Sequence, residues 1–134
     1  MFQVTDLKAV TVATPDLEGA VATFRKNFGF PITRSFERAE YKTRSTCLGI
    51  GTAEIEMIMP TAEGSPLAGF LTERGAGLYF LLLEVDDVEA ARADLAGRGI
   101  EVSLKQSADG KPVALLSPAQ THGVRIALVG RVGA

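Results

Sequence analysis

The first thirty residues pass from a strand pattern of apolar positions to a helix pattern. Residues 7–13 are rich in β-branched side chains and predict a strand. Thr14 is the expected N-cap of the helix that follows, with Pro15 at the first helical position and Gly29 as the helix end. The helix would bury one apolar stripe, which consists of Leu17, Ala20, Val21, Phe24 and Phe28.

The next segment predicts three strands followed by a short helix. The strands are expected at residues 32–37, 42–49 and 54–59. The second of them is polar on both faces, which leaves its register weakly specified. A serine followed by a proline then marks a helix start, which predicts a short helix over residues 66–73.

The second half of the chain repeats the same order of elements. A strand is expected at residues 78–85 and a helix at residues 87–96, with Asp86 or Asp87 as the N-cap and Gly97 as the end. Three further strands are expected near residues 100–104, 112–117 and 124–129.

This order reflects an internal repeat with an offset of 71 residues. Val10-Thr-Val-Ala-Thr-Pro-Asp-Leu-Glu18 matches Leu81-Leu-Leu-Glu-Val-Asp-Asp-Val-Glu89, and both copies lead from an apolar strand to an acidic helix start. Solenoid proteins repeat at roughly 20–50 residues, so a repeat of half the chain indicates two similar modules instead. We predict an α+β fold of two βαβββ modules related by a pseudo-twofold, with curved mixed sheets around one shared cavity.

The expected organisation is a single domain over residues 1–134. Module one would cover about 5–60, a linker helix about 64–75, and module two about 77–130.

Composition narrows the possible partners. The net charge is −2 and no basic run is present, which argues against nucleic acid. The longest apolar stretch, residues 78–83, is too short to span a bilayer, and the first residues lack the pattern of a signal peptide. Cys47 lies in a strand pattern, so we expect an inert buried thiol. It is the single cysteine and cannot form an internal disulfide, so we expect a cytoplasmic protein.

Residues 7–17, 51–60, 64–87 and 111–129 resemble the vicinal-oxygen-chelate superfamily, which includes glyoxalase I, extradiol dioxygenases, bleomycin-resistance proteins and methylmalonyl-CoA epimerase. The epimerase branch is the most similar. Its pattern resembles Ile55-Glu-Met-Ile-Met-Pro60, Gly64-Ser-Pro-Leu-Ala-Gly-Phe-Leu71, Gly75-Ala-Gly-Leu78 and Leu83-Glu-Val-Asp-Asp-Val-Glu-Ala-Ala91. The combination spans most of the chain and is more specific for the superfamily than for the branch.

The resemblance implies four metal-ligand positions, on the first and fourth strands of each module. The family would place His, Glu or Gln, His and Glu at positions that hold Ala9, Glu56, Phe80 and Ala127 in this sequence. A divalent ion needs three or more N or O ligands, and alanine and phenylalanine offer none. We therefore expect no metal and no other cofactor. The alternative is a relocated site that would use Glu56 with Glu54, Glu84 or His122.

Strand alternation places every second side chain on the same face as these four positions. On that face Glu56 is the candidate catalytic residue, as a general base or acid. The alternative is that Glu56 only pairs with Arg125 or Arg44. Phe80 would either pack in the core or stack on a flat ligand. The candidate ligand-binding residues are Phe80, Arg125, Thr11, Leu82 and Arg44.

Three functions remain open on the sequence alone. The first is a metal-free protein that binds a small organic ligand in an apolar cavity. The alternative is a metal-independent isomerase, epimerase or lyase that acts on a small carbonyl or acyl-CoA compound with Glu56 as proton carrier. The third is a subunit or regulatory domain with a vestigial cavity. A homodimer is expected, because short sheets leave edges that need cover.

Overall fold

The computed structural model describes residues 1–107 and 110–131 and contains strands and helices in two compact units. We call residues 9–79 the first unit, and residues 1–8 with the chain from Phe80 onward the second unit. The elements are, in chain order, β1 (Val4–Ala13), α1 (Leu17–Phe28), β2 (Ile32–Arg38), β3 (Thr43–Ile50), β4 (Ala53–Pro60), α2 (Pro66–Arg74), β5 (Gly77–Val85), α3 (Val88–Gly97), β6 (Val102–Gln106), β7 (Pro112–Leu116) and β8 (Ile126–Val129).

The first unit is a mixed sheet with helix α1 packed on one face. Its strand order is β2-β3-β4-β1, in which β1 runs parallel to β4 and the other pairs are antiparallel. The core between sheet and helix is built on Leu17, Leu48 and Met57, which are almost completely buried. Partly buried residues of the predicted apolar stripe, including Ala20, Val21 and Phe24, pack against this cluster.

Helix α1 begins two residues later than the sequence suggested. The N-cap is Asp16, whose carboxylate accepts a 3.0 Å hydrogen bond from the Gly19 amide. Thr14 was the expected cap, but its amide donates to the carbonyl of Ile58 at 2.9 Å. Thr14 is therefore tied to β4, and the helix starts after it. Gly29 ends the helix as predicted, in a left-handed conformation with φ of 72°.

The second unit has the strand order β5-β8-β7-β6, with β5 parallel to β8. Its core lies between this sheet and α3 and consists of Val85, Val88, Ala91, Leu95, Ala114, Leu116 and Leu128. The start of the chain is tied to the same unit. The amide of Phe2 donates to Asp94 at 2.9 Å, and the hydroxyl of Thr5 donates to Glu84 at 2.6 Å.

The α+β class and the two βαβββ modules are confirmed, and several element bounds needed correction. β1 begins at Val4 and not at residue 7, and its residues 4–8 belong to the second unit. The cap of α3 is Asp87, whereas Asp86 accepts from the Gln3 amide at 3.0 Å. Gly97 is the last helical residue, and the left-handed glycine after it is Gly99, with φ of 82°.

The remaining local predictions concern the linker helix and the membrane. Ser65 caps α2 by accepting from the Leu67 amide at 3.2 Å, as the Ser-Pro pair predicted. Over residues 1–107 and 110–131, no helix is long and apolar enough to cross a bilayer.

Candidate active site

Glu56 is a buried carboxylate on β4, with 8% of its surface exposed. The parallel register places it opposite Thr11 of β1, and the antiparallel register places it opposite Cys47 of β3. The hydroxyl of Ser45 donates a 2.7 Å hydrogen bond to Oε2 of Glu56. Oε1 makes no hydrogen bond within the described chain. The structure thus fixes one carboxylate oxygen and leaves the other available as an acceptor.

Glu54 lies two residues earlier on the same face of β4, and both of its carboxylate oxygens accept hydrogen bonds. Arg34 of β2 donates to it through Nη2 at 3.0 Å and through Nε at 3.3 Å, and the hydroxyl of Thr33 donates at 2.6 Å. Burial by itself would lower the pKa of Arg34, but the hydrogen bond to Glu54 and the nearby negative charges raise it on balance. Arg34 and Glu54 therefore form a fixed, mutually neutralising pair beside Glu56.

Cys47 has no exposed surface and stays protonated at neutral pH. Burial raises the pKa of its thiol to about 12, and the charges of Glu56 and Glu54 act in the same direction. Only the thiolate is an effective nucleophile. The expectation of an inert buried thiol is confirmed.

The four positions where the family pattern expects metal ligands do not fit a metal ion. Ala9 and Ala127 are both 4% exposed and carry only methyl groups, and Phe80 offers a phenyl ring. Glu56 alone supplies a donor atom, whereas a stable site needs three or more.

The alternative of a relocated metal site is not supported either. Within residues 1–107 and 110–131, no three His, Cys, Asp or Glu side chains form a group that could hold an ion. Glu54 is bound to Arg34, and Glu84 accepts from Thr5 with Arg131 at 3.9 Å. His122 is exposed in a turn with φ of 57°, as a solvated loop residue.

The second unit contains a small cavity next to two of the predicted ligand-binding residues. The cavity has a volume of about 260 Å³ and is lined by Phe80 and Arg125, with Lys105 and Ser117 also at its wall. Leu82, on the same strand as Phe80, lies opposite Ala127 of the neighbouring strand β8. The volume is just below the range of roughly 300–1,000 Å³ that is usual for small-molecule sites, so this cavity could take only part of a ligand.

Arg44 does not lie on the Glu56 face, and the alternative in which Glu56 pairs with Arg44 is wrong. In the β3–β4 register Arg44 is opposite Met59, one position out of phase with Ser45. Its side chain points towards α1 and donates to Glu18 at 2.7 Å. It lines a separate cavity of about 620 Å³ between α1 and strands β2 and β3.

The sequence analysis missed Ser45, the direct partner of Glu56. The signal lay in the tight turn at Gly51, since Ile50 pairs with Ala53 and this fixes every later pair of the hairpin. Counting back from this turn puts Cys47 opposite Glu56 and Ser45 two pairs further on, on the same face. Whether the candidate residues Phe80, Arg125, Thr11, Leu82 and Arg44 contact a ligand stays a prediction.

Two βαβββ modules with a carboxylate at the fourth-strand position define the class of protein. The sequence model of the glyoxalase/bleomycin resistance protein/dioxygenase superfamily matches residues 9–115, and the chain belongs to this superfamily.

Its relatives include acyl-CoA epimerases. The ethylmalonyl-CoA/methylmalonyl-CoA epimerase of Cereibacter sphaeroides is 34% identical over 91% of this chain and 95% of that protein. The mitochondrial methylmalonyl-CoA epimerase of Homo sapiens is 32% identical over 91% of this chain and 72% of its own length. A solved variant of the Streptomyces coelicolor methylmalonyl-CoA epimerase, in complex with 2-nitronate-propionyl-CoA, has a TM-score of 0.91 at 25% identity and covers 98% of both chains.

Proposed function

We propose that the protein acts on acyl-CoA thioesters, and that Glu56 removes and returns the proton on the carbon next to the thioester carbonyl without a metal ion. The observation that carries the proposal is the buried Glu56 carboxylate, with Oε2 bound to Ser45 and Oε1 open. The epimerase relatives support the substrate class. They favour an enzyme over the ligand-binding protein that the apolar positions first suggested.

The proposed step is a reversible proton transfer. Oε1 of Glu56 takes the proton, the C–H bond breaks, and its electron pair moves to the thioester oxygen to give a planar enolate. The reverse transfer restores the thioester. Delivery of a proton to the opposite face inverts the carbon centre, while delivery to the same face restores it. A positioned general base of this kind contributes about 10²–10⁴-fold in rate.

Proton exchange is the direct test. Methylmalonyl-CoA would be incubated in D₂O with EDTA, and the loss of its C2 proton signal followed by NMR. The wild type is expected to exchange the proton faster than a protein-free sample. Glu56→Gln keeps shape and hydrogen bonding but cannot carry a proton, so it should lower the exchange rate about 10²–10⁴-fold.

The matched control is Glu63→Gln, which removes an exposed carboxylate outside the site. It should exchange at the wild-type rate. A wild-type protein that exchanges no faster than buffer, or a Glu56→Gln variant as fast as the wild type, would rule out the proposed chemistry.

A second candidate function is binding without turnover. It is favoured by the alanine and phenylalanine residues at three of the four expected ligand positions, which make those positions apolar. In that case Glu56→Gln should change the dissociation constant of the ligand by less than about tenfold, and no exchange should accompany binding.

A further inference from the structure

Three side chains of β2 lie on the same face of the first unit as Glu56. In the strand register Arg34 lies opposite Cys47 of β3, and Cys47 lies opposite Glu56 of β4. Phe36 pairs with Ser45, the residue that holds Glu56. Because directly opposed residues share a face, and every second residue of a strand does so too, Arg34, Phe36 and Arg38 all belong to the Glu56 face.

The two arginines are stacked on the phenyl ring between them. The guanidinium carbon of Arg34 is 5.1 Å from the centroid of Phe36, and that of Arg38 is 4.8 Å from it. The face of an aromatic ring attracts cations at this distance. Phe36 therefore holds both guanidinium groups close to the sheet, so that little side-chain freedom is left to lose when a ligand binds.

The two arginines differ in whether a neighbouring carboxylate neutralises their positive charge. Arg34 is neutralised by Glu54 at 3.0 Å. Arg38 makes no ion pair or side-chain hydrogen bond in the described part of the chain, and its Nε is buried without a partner. Nε of Arg44 is also buried and unpaired, but that guanidinium has Glu18 as its counter-ion. Arg38 thus retains an unbalanced positive charge on the Glu56 face.

We propose that Arg38 binds a carboxylate carried by the acyl group of the substrate and thereby selects carboxylated acyl thioesters; this rests on the proposed function of Glu56. A guanidinium presents parallel N–H donors that match a carboxylate. Arg38 is two residues beyond Phe36, about 7 Å along the strand. Phe36 itself is opposite the Ser45 that holds Glu56. The Arg38 guanidinium lies over this Phe36 ring, so the proposal places the carboxylate of a compact acyl group on Arg38 and its α-carbon towards Glu56.

Because three of the four expected metal ligands are absent, the positive charge that would attract an anionic acyl group has to come from another residue. A divalent ion would supply positive charge for an anionic acyl group, and the residues at three of the four expected positions cannot hold one. Arg38 supplies a fixed positive charge from β2, on the same face of the first unit's sheet as Ala9 and Glu56. The selection of anionic substrates would then depend on β2 instead of on the inherited metal positions.

Methylmalonyl-CoA and propionyl-CoA form a matched pair for the test, because they differ only in the carboxylate. Their dissociation constants would be measured by calorimetry for the wild type and for Arg38→Gln. The wild type should bind methylmalonyl-CoA more tightly. Arg38→Gln should weaken methylmalonyl-CoA binding about tenfold or more and change propionyl-CoA binding by less than about twofold. The matched control is Arg74→Gln, an exposed arginine at the end of α2, which should alter neither constant.

Two further variants keep the test decisive if Arg38→Gln does not fold. Arg38→Lys retains the charge but loses the fork of donors, so it should recover part of the preference. Phe36→Leu retains the arginine but removes the ring that positions it, and it should reduce the preference to a smaller degree. The proposal is overturned if the wild type does not distinguish the two thioesters, or if these variants weaken both ligands equally or not at all.

The outcome is separable from that of the exchange experiment. Selective binding that depends on Arg38, without proton exchange, would support the anion site and reject the activity of Glu56. Proton exchange with an unchanged preference in Arg38→Gln would support the activity and reject the anion site.

Discussion

The hydroxyl of Ser45 donates a 2.7 Å hydrogen bond to Oε2 of Glu56, and both side chains are buried on the same face of the first unit. The two residues are on neighbouring antiparallel strands but are not directly opposed, since Ser45 pairs with Ile58. The bond is therefore diagonal across the hairpin and fixes the direction in which the carboxylate points. It makes Ser45 a positioning residue for the proposed base.

Ser45→Ala should reduce proton exchange more than it reduces binding. Without the hydroxyl, the Glu56 carboxylate is free to rotate and is left with an unsatisfied buried oxygen. We expect exchange to fall by about tenfold or more. The free energy of unfolding should fall by about 1–3 kcal/mol, as is typical when a buried partner is removed. The dissociation constant of methylmalonyl-CoA should change little, and urea titration with the NMR exchange assay measures both effects.

Ser35→Ala is the matched control. Ser35 is an exposed serine whose hydroxyl lies 3.2 Å from that of Thr46. Its loss should cost less than about 0.5 kcal/mol and leave exchange unchanged. Equal effects of the two serine variants on exchange would mean that Ser45 does not position the base.

The purified protein is expected to contain no stoichiometric Zn, Ni, Co, Mn or Fe. The reason is the donor set, because Ala9, Phe80 and Ala127 cannot coordinate an ion. EDTA should therefore leave both the melting temperature and the exchange rate unchanged. Elemental analysis that finds about one ion per chain, lost in Glu56→Ala, would contradict this prediction.

The sequence predicted the parts of the fold that depend on local chemistry. Gly29 ends α1 and Ser65 caps α2 as expected, because a left-handed glycine and an N-cap serine act over only a few residues. The cap of α1 was misplaced because the amide of Thr14 is paired with Ile58, a contact made across 44 residues of chain.

The candidate site was only partly predictable. Glu56 and Thr11 were assigned to one face because their strands alternate clearly between apolar and polar residues, and the register places them opposite each other. The alternative pairing of Arg44 with Glu56 was wrong, and Ser45 was missed, because β3 is polar on both faces and its alternation carried no signal. The assignment of Arg34, Phe36 and Arg38 to the Glu56 face also depends on the register of β2 against β3, which the sequence left open.

Phe80 is expected to contribute apolar contact to a bound ligand. It lines the cavity of about 260 Å³ in the second unit together with Arg125. Truncation of an aromatic ring that stacks on a ligand removes roughly 1–3 kcal/mol, so Phe80→Ala should weaken binding about 5–150-fold. Calorimetry with methylmalonyl-CoA measures the change. If Phe80→Ala binds methylmalonyl-CoA with wild-type affinity, Phe80 does not contribute to the ligand site.

The protein is expected to form a homodimer. Strands β2 and β6 lie at the ends of the strand orders of their units, and such edges are usually covered by pairing or by another chain. Ile32 on β2 is 45% exposed, which adds an apolar contribution at that edge. Light scattering at micromolar concentration should give twice the chain mass of 14.2 kDa. A mass equal to that of a single chain would show that these edges are stable without a partner.

Cys47 should make the folded state less stable at alkaline pH. Burial raises the pKa of the thiol from about 9 in its ordinary state to about 12 in the folded protein. Between these values the folded chain keeps a proton that the unfolded chain has lost. The stabilisation is therefore complete below about pH 9 and is lost as the pH rises towards about 12, with a slope of at most about 1.4 kcal/mol per pH unit.

Cys47→Ala removes this titration, so its free energy of unfolding should have a shallower pH dependence. Urea unfolding of both proteins from pH 8 to pH 11 isolates the contribution, since the other titrating groups are common to the pair. A difference in unfolding free energy that stays constant across this range would show that the thiol is not shielded as its burial implies.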